Sequence, residues 1–194
     1  MANVCDTLFQ DITSNCNMPT AGMEATVYIF NRTDISATKS ETNSALVTGL
    51  TIEAGKVGFK IYGHKKNVNA GHDAVIDVTT PKRFTHYFSF HGYEFDSAAV
   101  KNIDAIEDLV VVVERKDKPE DADGTFIILG LESGLFTSSD TLRMNDANSV
   151  RQIEMQTMEG STEKHSQYNY VVADETSEYA ATKAQLEAML TTGS

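Results

Sequence analysis

The chain has 194 residues, a formal charge of −12 at pH 7 and 41% hydrophobic residues. These are the values of a globular chain long enough to bury a sizeable core, and they exclude a disordered tail. Its 16 Lys and Arg stand against 28 Asp and Glu. That balance excludes a general nucleic-acid binder, which needs concentrated cationic side chains, but not a protein that lies beside DNA without adhering to it.

The opening residues Met1–Asp6 carry neither the basic region nor the apolar run of a secretory signal. No stretch approaches the roughly 18 consecutive apolar residues of a membrane span, so no membrane insertion is expected. Cys5 and Cys16 are the only cysteines. Two are too few for a disulfide scaffold, and they are expected as thiols.

Residues 1–23 mix short apolar pairs with Asp, Ser, Asn and Pro19, and read as an extended N-terminal arm. Glu24–Phe30 is rich in β-formers and predicts the first strand. Asn31–Ser44 is polar and aperiodic and predicts a long loop. Ala45–Glu53 and Val57–His64 predict a β-hairpin around Ala54-Gly55-Lys56. Lys65–Asp73 reads as a polar break before a short strand at Ala74–Thr79, with Pro81 at the next boundary.

Arg83–Glu94 is the clearest strand. Phe84, His86, Phe88 and Phe90 share one face, while Arg83, Thr85, Tyr87 and Ser89 share the other. Over Ser97–Asp108 the period changes, with Ala99, Ile103 and Ile106 near one helical face and Asp96 or Ser97 placed to cap it. Leu109–Arg115 returns to strand. Its unbroken valines Val110–Val113 predict a central, covered position. Lys116–Gly124 is a charged turn, Thr125–Leu131 a strand, and Gly130, Gly134 and Ser138 mark bends. Ser149–Met158 and Gln167–Ala173 predict two more strands, and Thr176–Leu190 a terminal helix. Seven to nine strands with two helices imply a mainly β fold. The expected architecture is an antiparallel β-sandwich or split β-barrel with a flanking helix and a C-terminal helix, in one domain spanning 1–194.

The residues capable of chemistry do not assemble into a catalytic motif. His64, His72, His86, His91 and His165 match no metal-binding spacing, and the odd separation of His86 and His91 puts them on opposite faces. The segment Gly130-Leu131-Glu132-Ser133-Gly134 differs from a nucleophile elbow, its serine one place late and no helix following. Glu120-Asp121-Asp123-Gly124 lacks the alternating ligands and distal Glu of a calcium loop. The small basic patches at Lys65-Lys66 and Lys82-Arg83 read as solvated loops. No catalytic, cofactor or metal residue is assigned, and the chain is read as a noncatalytic protein with no cofactor.

The order of elements nevertheless resembles the tail-tube and related ring proteins of bacteriophages, of the type found in phages of Bacteroidetes. The resemblance lies in Cys5, Ile12, Cys16-Asn17 and Pro19-x-x-Gly22, the strand Val27–Asn31, the aromatic strand Phe84–Phe90, the helix Ala99–Ile106, the valine strand, and the helix Lys183–Leu190. It implies a virion structural subunit, assembled in the host bacterial cytoplasm. Six copies would close into a ring whose strands line a common barrel, and rings would stack into a conduit for DNA that passes without specific binding. It further implies that the arm around Cys5–Gly22 and the segment Asn31–Ser44 reach neighbouring subunits or rings. A head–tail connector or stopper ring is the alternative. A glycan- or receptor-binding virion module is another, with Tyr62, Tyr87, Tyr93, Tyr168 or Tyr170 as its stacking platform.

Overall fold

A run of five apolar residues, Leu109–Val113, forms a strand only when both of its faces are covered, and all five are buried. A computed structural model of the chain describes residues 22–62, 68–76, 81–92, 95–116, 123–145 and 150–190. The eleven strands described are β1 (Met23–Asn31), β2 (Ile35–Lys39), β3 (Leu46–Ile52), β4 (Phe59–Tyr62), β5 (Val68–Val75), β6 (Arg83–Gly92), β7 (Leu109–Arg115), β8 (Phe126–Leu129), β9 (Phe136–Leu142), β10 (Arg151–Gln156) and β11 (Tyr168–Tyr170). The two helices are α1 (Ser97–Asp104) and α2 (Glu178–Ala188).

The strands make two sheets. Sheet A has the order β2-β3-β11-β8-β7-β1-β4, and sheet B the order β5-β6-β10-β9. Alternation along the central strands of sheet A divides the interior in two. Val27 on β1, Val111 and Val113 on β7, and Leu129 on β8 face Phe88 and Phe90 of β6 and Ile153 and Met155 of β10, so the sheets pack face to face. The intervening residues Tyr28, Phe30, Val110, Val112, Phe126 and Ile128 point the other way, against Leu186 and Met189 of the α2 region. The result is three layers: sheet B, sheet A and α2. Helix α1 closes one end of the sandwich through Ile103, with Phe95 and Ile106 beside it. Its start is capped as expected, the Asp96 carboxylate accepting from the Ala99 N–H at 2.7 Å.

The mainly β sandwich with a helix near the C-terminus is therefore the architecture. Several elements differ from the sequence reading. The expected long loop Asn31–Ser44 is a correction: β1 runs to Asn31, a single 3-10 turn covers Arg32–Asp34, and β2 follows at Ile35–Lys39. The expected 45–64 hairpin does not form. β3 pairs with β2 and β11, whereas β4 pairs with β1 across sheet A. The strand expected at 74–79 begins earlier, as β5, with residues 77–79 outside the described residues, and the bend expected at Ser138 is straightened into β9. The sheets are not wholly antiparallel, since β11 runs parallel to β3. The arm residues 1–21 and the segments holding Lys65, Lys66, Tyr93, Glu120 and Asp121 lie outside the described residues.

One sharp turn fixes the join between the layers. Asp108 sits at φ 51° just before β7 and takes Arg32 in a bidentate pair, with Nε–Oδ1 at 2.7 Å and Nη2–Oδ2 at 2.9 Å. Gly134, at φ 74°, gives the carboxylate its room: a Cβ there would stand 1.8 Å from Asp108 Oδ1. Gly134→Ala combines left-handed strain with eviction of Asp108. It is expected to lower the unfolding free energy by at least about 2 kcal/mol in a denaturant titration.

Candidate functional site

Sheet B has one face in the core and one facing outward. Because Phe84, His86, Phe88 and Phe90 point inward, Thr85, Tyr87 and Ser89 point out, and the register carries that alternation to Asn69, Gly71 and Asp73 on β5 and to Gln152, Glu154 and Gln156 on β10. The outward face holds a shallow groove of about 280 Å³, lined by Asn69, Asp73, Thr85, Tyr87, Ser138 and Glu154 among others. Tyr87 lies across Gly71, where a side chain would collide with its hydroxyl. Among the described residues this face carries the acids Asp73 and Glu154, and its one Lys or Arg is Arg83, at the strand end.

The edges of this sheet are its second property. β5 has eight residues and β9 has seven, and neither contains Lys, Arg or Pro. Natural sheets block exposed edges with such residues, or by shortening the edge strand. The edge strands of sheet A are shorter, and each carries a lysine, Lys39 on β2 and Lys60 on β4. The four antiparallel strands of sheet B also point its two edges in opposite directions.

A third property lies at the two ends of the strands. Val75 and Ile76, which is 81% exposed, follow one end of the sheet, with Met158 beyond β10. Leu142 and Met144, which is 73% exposed, follow the opposite end. Five of the seven large exposed hydrophobic residues of the described chain thus gather at the ends of one sheet.

Behind the sheet lies a buried polar cluster. His86 is fully buried, accepts the Gly130 N–H at Nδ1 (3.0 Å) and donates from Nε2 to the His165 carbonyl (2.9 Å). Burial holds its pKa down at about 4. Glu163, also fully buried, accepts from the Glu132 and Ser133 amides, and burial pushes its carboxyl up. Tyr168 stands between them with Lys39 Nζ 4.7 Å from its ring centre. Burial, then the Glu163 and Glu132 charges, push its hydroxyl pKa up, and among the described residues none meets that hydroxyl at full hydrogen-bonding geometry.

These positions separate the five histidines. His72 lies exposed on β5, edge-on to Phe84, and His165 meets Ser44 Oγ at 2.8 Å, while His64 is outside the described residues. Among the described residues no group of three His, Cys, Asp or Glu side chains is arranged to hold a metal ion. No helix there is long and apolar enough to cross a membrane. Ser133 donates to the Thr162 carbonyl and is followed by β9, not a helix. Tyr168 and Tyr170 are fully buried, which corrects their place in a stacking platform, whereas Tyr62 is 77% exposed. The unprotected edges were not singled out from the sequence, because which strand becomes an edge is decided by distant pairing. No known protein family, curated protein or solved structure matches the chain.

Proposed function

We propose that this chain is a noncatalytic structural subunit of a phage virion, joined to copies of itself in a ring that encloses a passage for DNA. The observation that carries the reading is the pair of long edges on sheet B, which carry no Lys, Arg or Pro and which no other described strand pairs. In a ring whose axis follows the strands, rotation preserves strand direction. β9 of one copy then meets β5 of the next antiparallel, satisfying both edges in a repeating head-to-tail contact. Six copies would supply twenty-four strands. At about 4.8 Å spacing and the usual barrel tilt, they close a circle of roughly 40–50 Å.

The outward face would line that circle. Short polar groups with Asp73 and Glu154 offer a phosphate backbone little attraction, consistent with transient passage of DNA without specific binding. The apolar residues at both ends favour stacking of rings into a tube over a single connector ring, because each end then covers the other. The glycan-binding alternative retains Tyr62 and Tyr87 but loses the two buried tyrosines.

Negative-stain microscopy and size-exclusion chromatography of the purified chain test the reading. Rings or tubes with a central channel are expected. Asn69→Lys with Thr141→Lys places like charges on the two edges and is expected to leave a folded monomer with an unchanged circular dichroism spectrum. A wild-type chain that stays monomeric at high concentration overturns the proposal.

A further inference from the structure

The chain passes from sheet A to sheet B between β8 and β9 through the turn at 130–134. Several contacts hold that turn. Gly134 N–H donates to the Gly130 carbonyl at 3.0 Å, Leu135 exchanges backbone bonds with Leu109, Glu163 holds the Glu132 and Ser133 amides, Ser133 Oγ donates to the Thr162 carbonyl, and Lys39 pairs with Glu132. At its start, His86 receives the Gly130 N–H on a ring nitrogen. This nitrogen can accept only while it carries no proton, and the other ring nitrogen is committed to the His165 carbonyl.

We propose that His86 is a proton-operated latch on this crossover: protonation of Nδ1 deprives the Gly130 N–H of its acceptor, and the turn detaches with the edge strand β9 it leads into, while sheet A stays folded. β9 is the strand placed for such release, since it follows the turn directly, most of its residues are exposed, and among the described strands it pairs with β10 alone. In a ring it would also be one half of each joint, so the latch would let acid open the assembly at its seams. That last consequence rests on the proposed function; the latch itself does not.

The groups facing His86 act in both directions. Glu132 on the turn attracts a proton to the ring, and His72 on β5 opposes it. His165 and Tyr168 meet it edge-on through the latter's ring, and Lys39 on β2 neutralises Glu132 at 2.7 Å. Glu163 takes up its own proton on acidification because burial disfavours its charge. Losing that charge relieves the closed form, so Glu163 works against release and the opening belongs to His86.

Hydrogen exchange of the full chain at pH 7 and pH 4.5, corrected for intrinsic exchange rates, tests the latch. Opening of residues 130–142 is expected to rise by about 50-fold, to be more frequent at both pH values than the opening of β1 and β7, which exchange through global unfolding, and to lose the rise in His86→Asn, which keeps an acceptor beside Gly130 without a titrating ring. Should that variant fail to fold, the imidazole nitrogen shifts of wild-type His86 replace it, and their titration is expected to coincide with opening of β9. Protection at 130–142 that does not change with pH, that falls equally in His86→Asn, or that equals the protection of β1 and β7 at both pH values overturns the latch, as does β9 opening while His86 remains neutral. Ring formation at pH 7 is scored separately by microscopy, so failure of the assembly reading gives a different result from failure of the latch.

Discussion

Phe88→Ala is expected to lower the unfolding free energy by about 3–5 kcal/mol, the usual cost of removing a fully buried phenylalanine from a core that cannot close the void. Phe88 lies at the middle of β6, fully buried among residues of both sheets, with Phe90 beside it at a ring separation of 6.1 Å. The loss compares with a total stability of about 5–15 kcal/mol for a domain of ordinary size. Guanidinium unfolding monitored by circular dichroism measures it. The position also carries a functional consequence. Sheet B presents the proposed joints, and its attachment to sheet A is this apolar layer, so the variant is expected to lose rings or tubes before it loses all secondary structure. An effect below about 1 kcal/mol would mean that the two sheets do not depend on this contact.

The second large effect is a dependence on pH. His86 is depressed in the folded protein to about 4 from an ordinary value of 6.5, because burial disfavours the imidazolium. Its contribution is complete above pH 6.5. As pH falls from there to about 4, the unfolded chain takes up a proton that the folded chain refuses, and stability declines. A gap of this size corresponds to about 3 kcal/mol at pH 4. Asp140, whose carboxyl Arg151 holds below its usual range, adds a loss of its own only below about pH 4. Unfolding free energies across pH 7–4 are expected to show the decline in the wild type and to lack it in His86→Asn. The same penalty applies to any state in which His86 reaches water, which is why a partial opening at 130–142 and global unfolding respond to acid alike.

Elements that bury a regular face were legible before the structure. The phenylalanines of β6 gave its inward side, the valines of β7 gave a strand covered on both faces, and Asp96 marked the start of α1. Elements at the margin were not. β9 reads Phe-Thr-Ser-Ser-Asp-Thr-Leu because an edge strand beyond the core has no face that must be apolar. β2 hides in a polar stretch for the same reason. The neighbouring segments at 46–52 and 59–62 looked like partners because a short connection normally makes a hairpin. The partners of β3 are instead β2, which precedes it, and β11, more than a hundred residues away, of which local periodicity holds no record. Helix α2 is weakly amphipathic because it is tied down by polar bonds: Tyr28 to Glu187, Tyr170 to Gln185, Tyr179 to Glu114, and Lys60 to Glu187. The buried cluster escaped notice because His86 was readable as an inward residue, but its partners at 130 and 165 were not.

The parallel pairing of β3 with β11 sets an order of events during synthesis. Residues 46 and 47 wait for residues 169 and 170 before the middle of the larger sheet closes, whereas every strand of the smaller one has been made by residue 156. A nascent chain therefore holds sticky borders ready while its own centre is still unfinished, and crowded ribosomes would favour premature pairing between chains. Slowing translation between residues 156 and 170 is expected to lower the yield of soluble protein more than the same delay before residue 68.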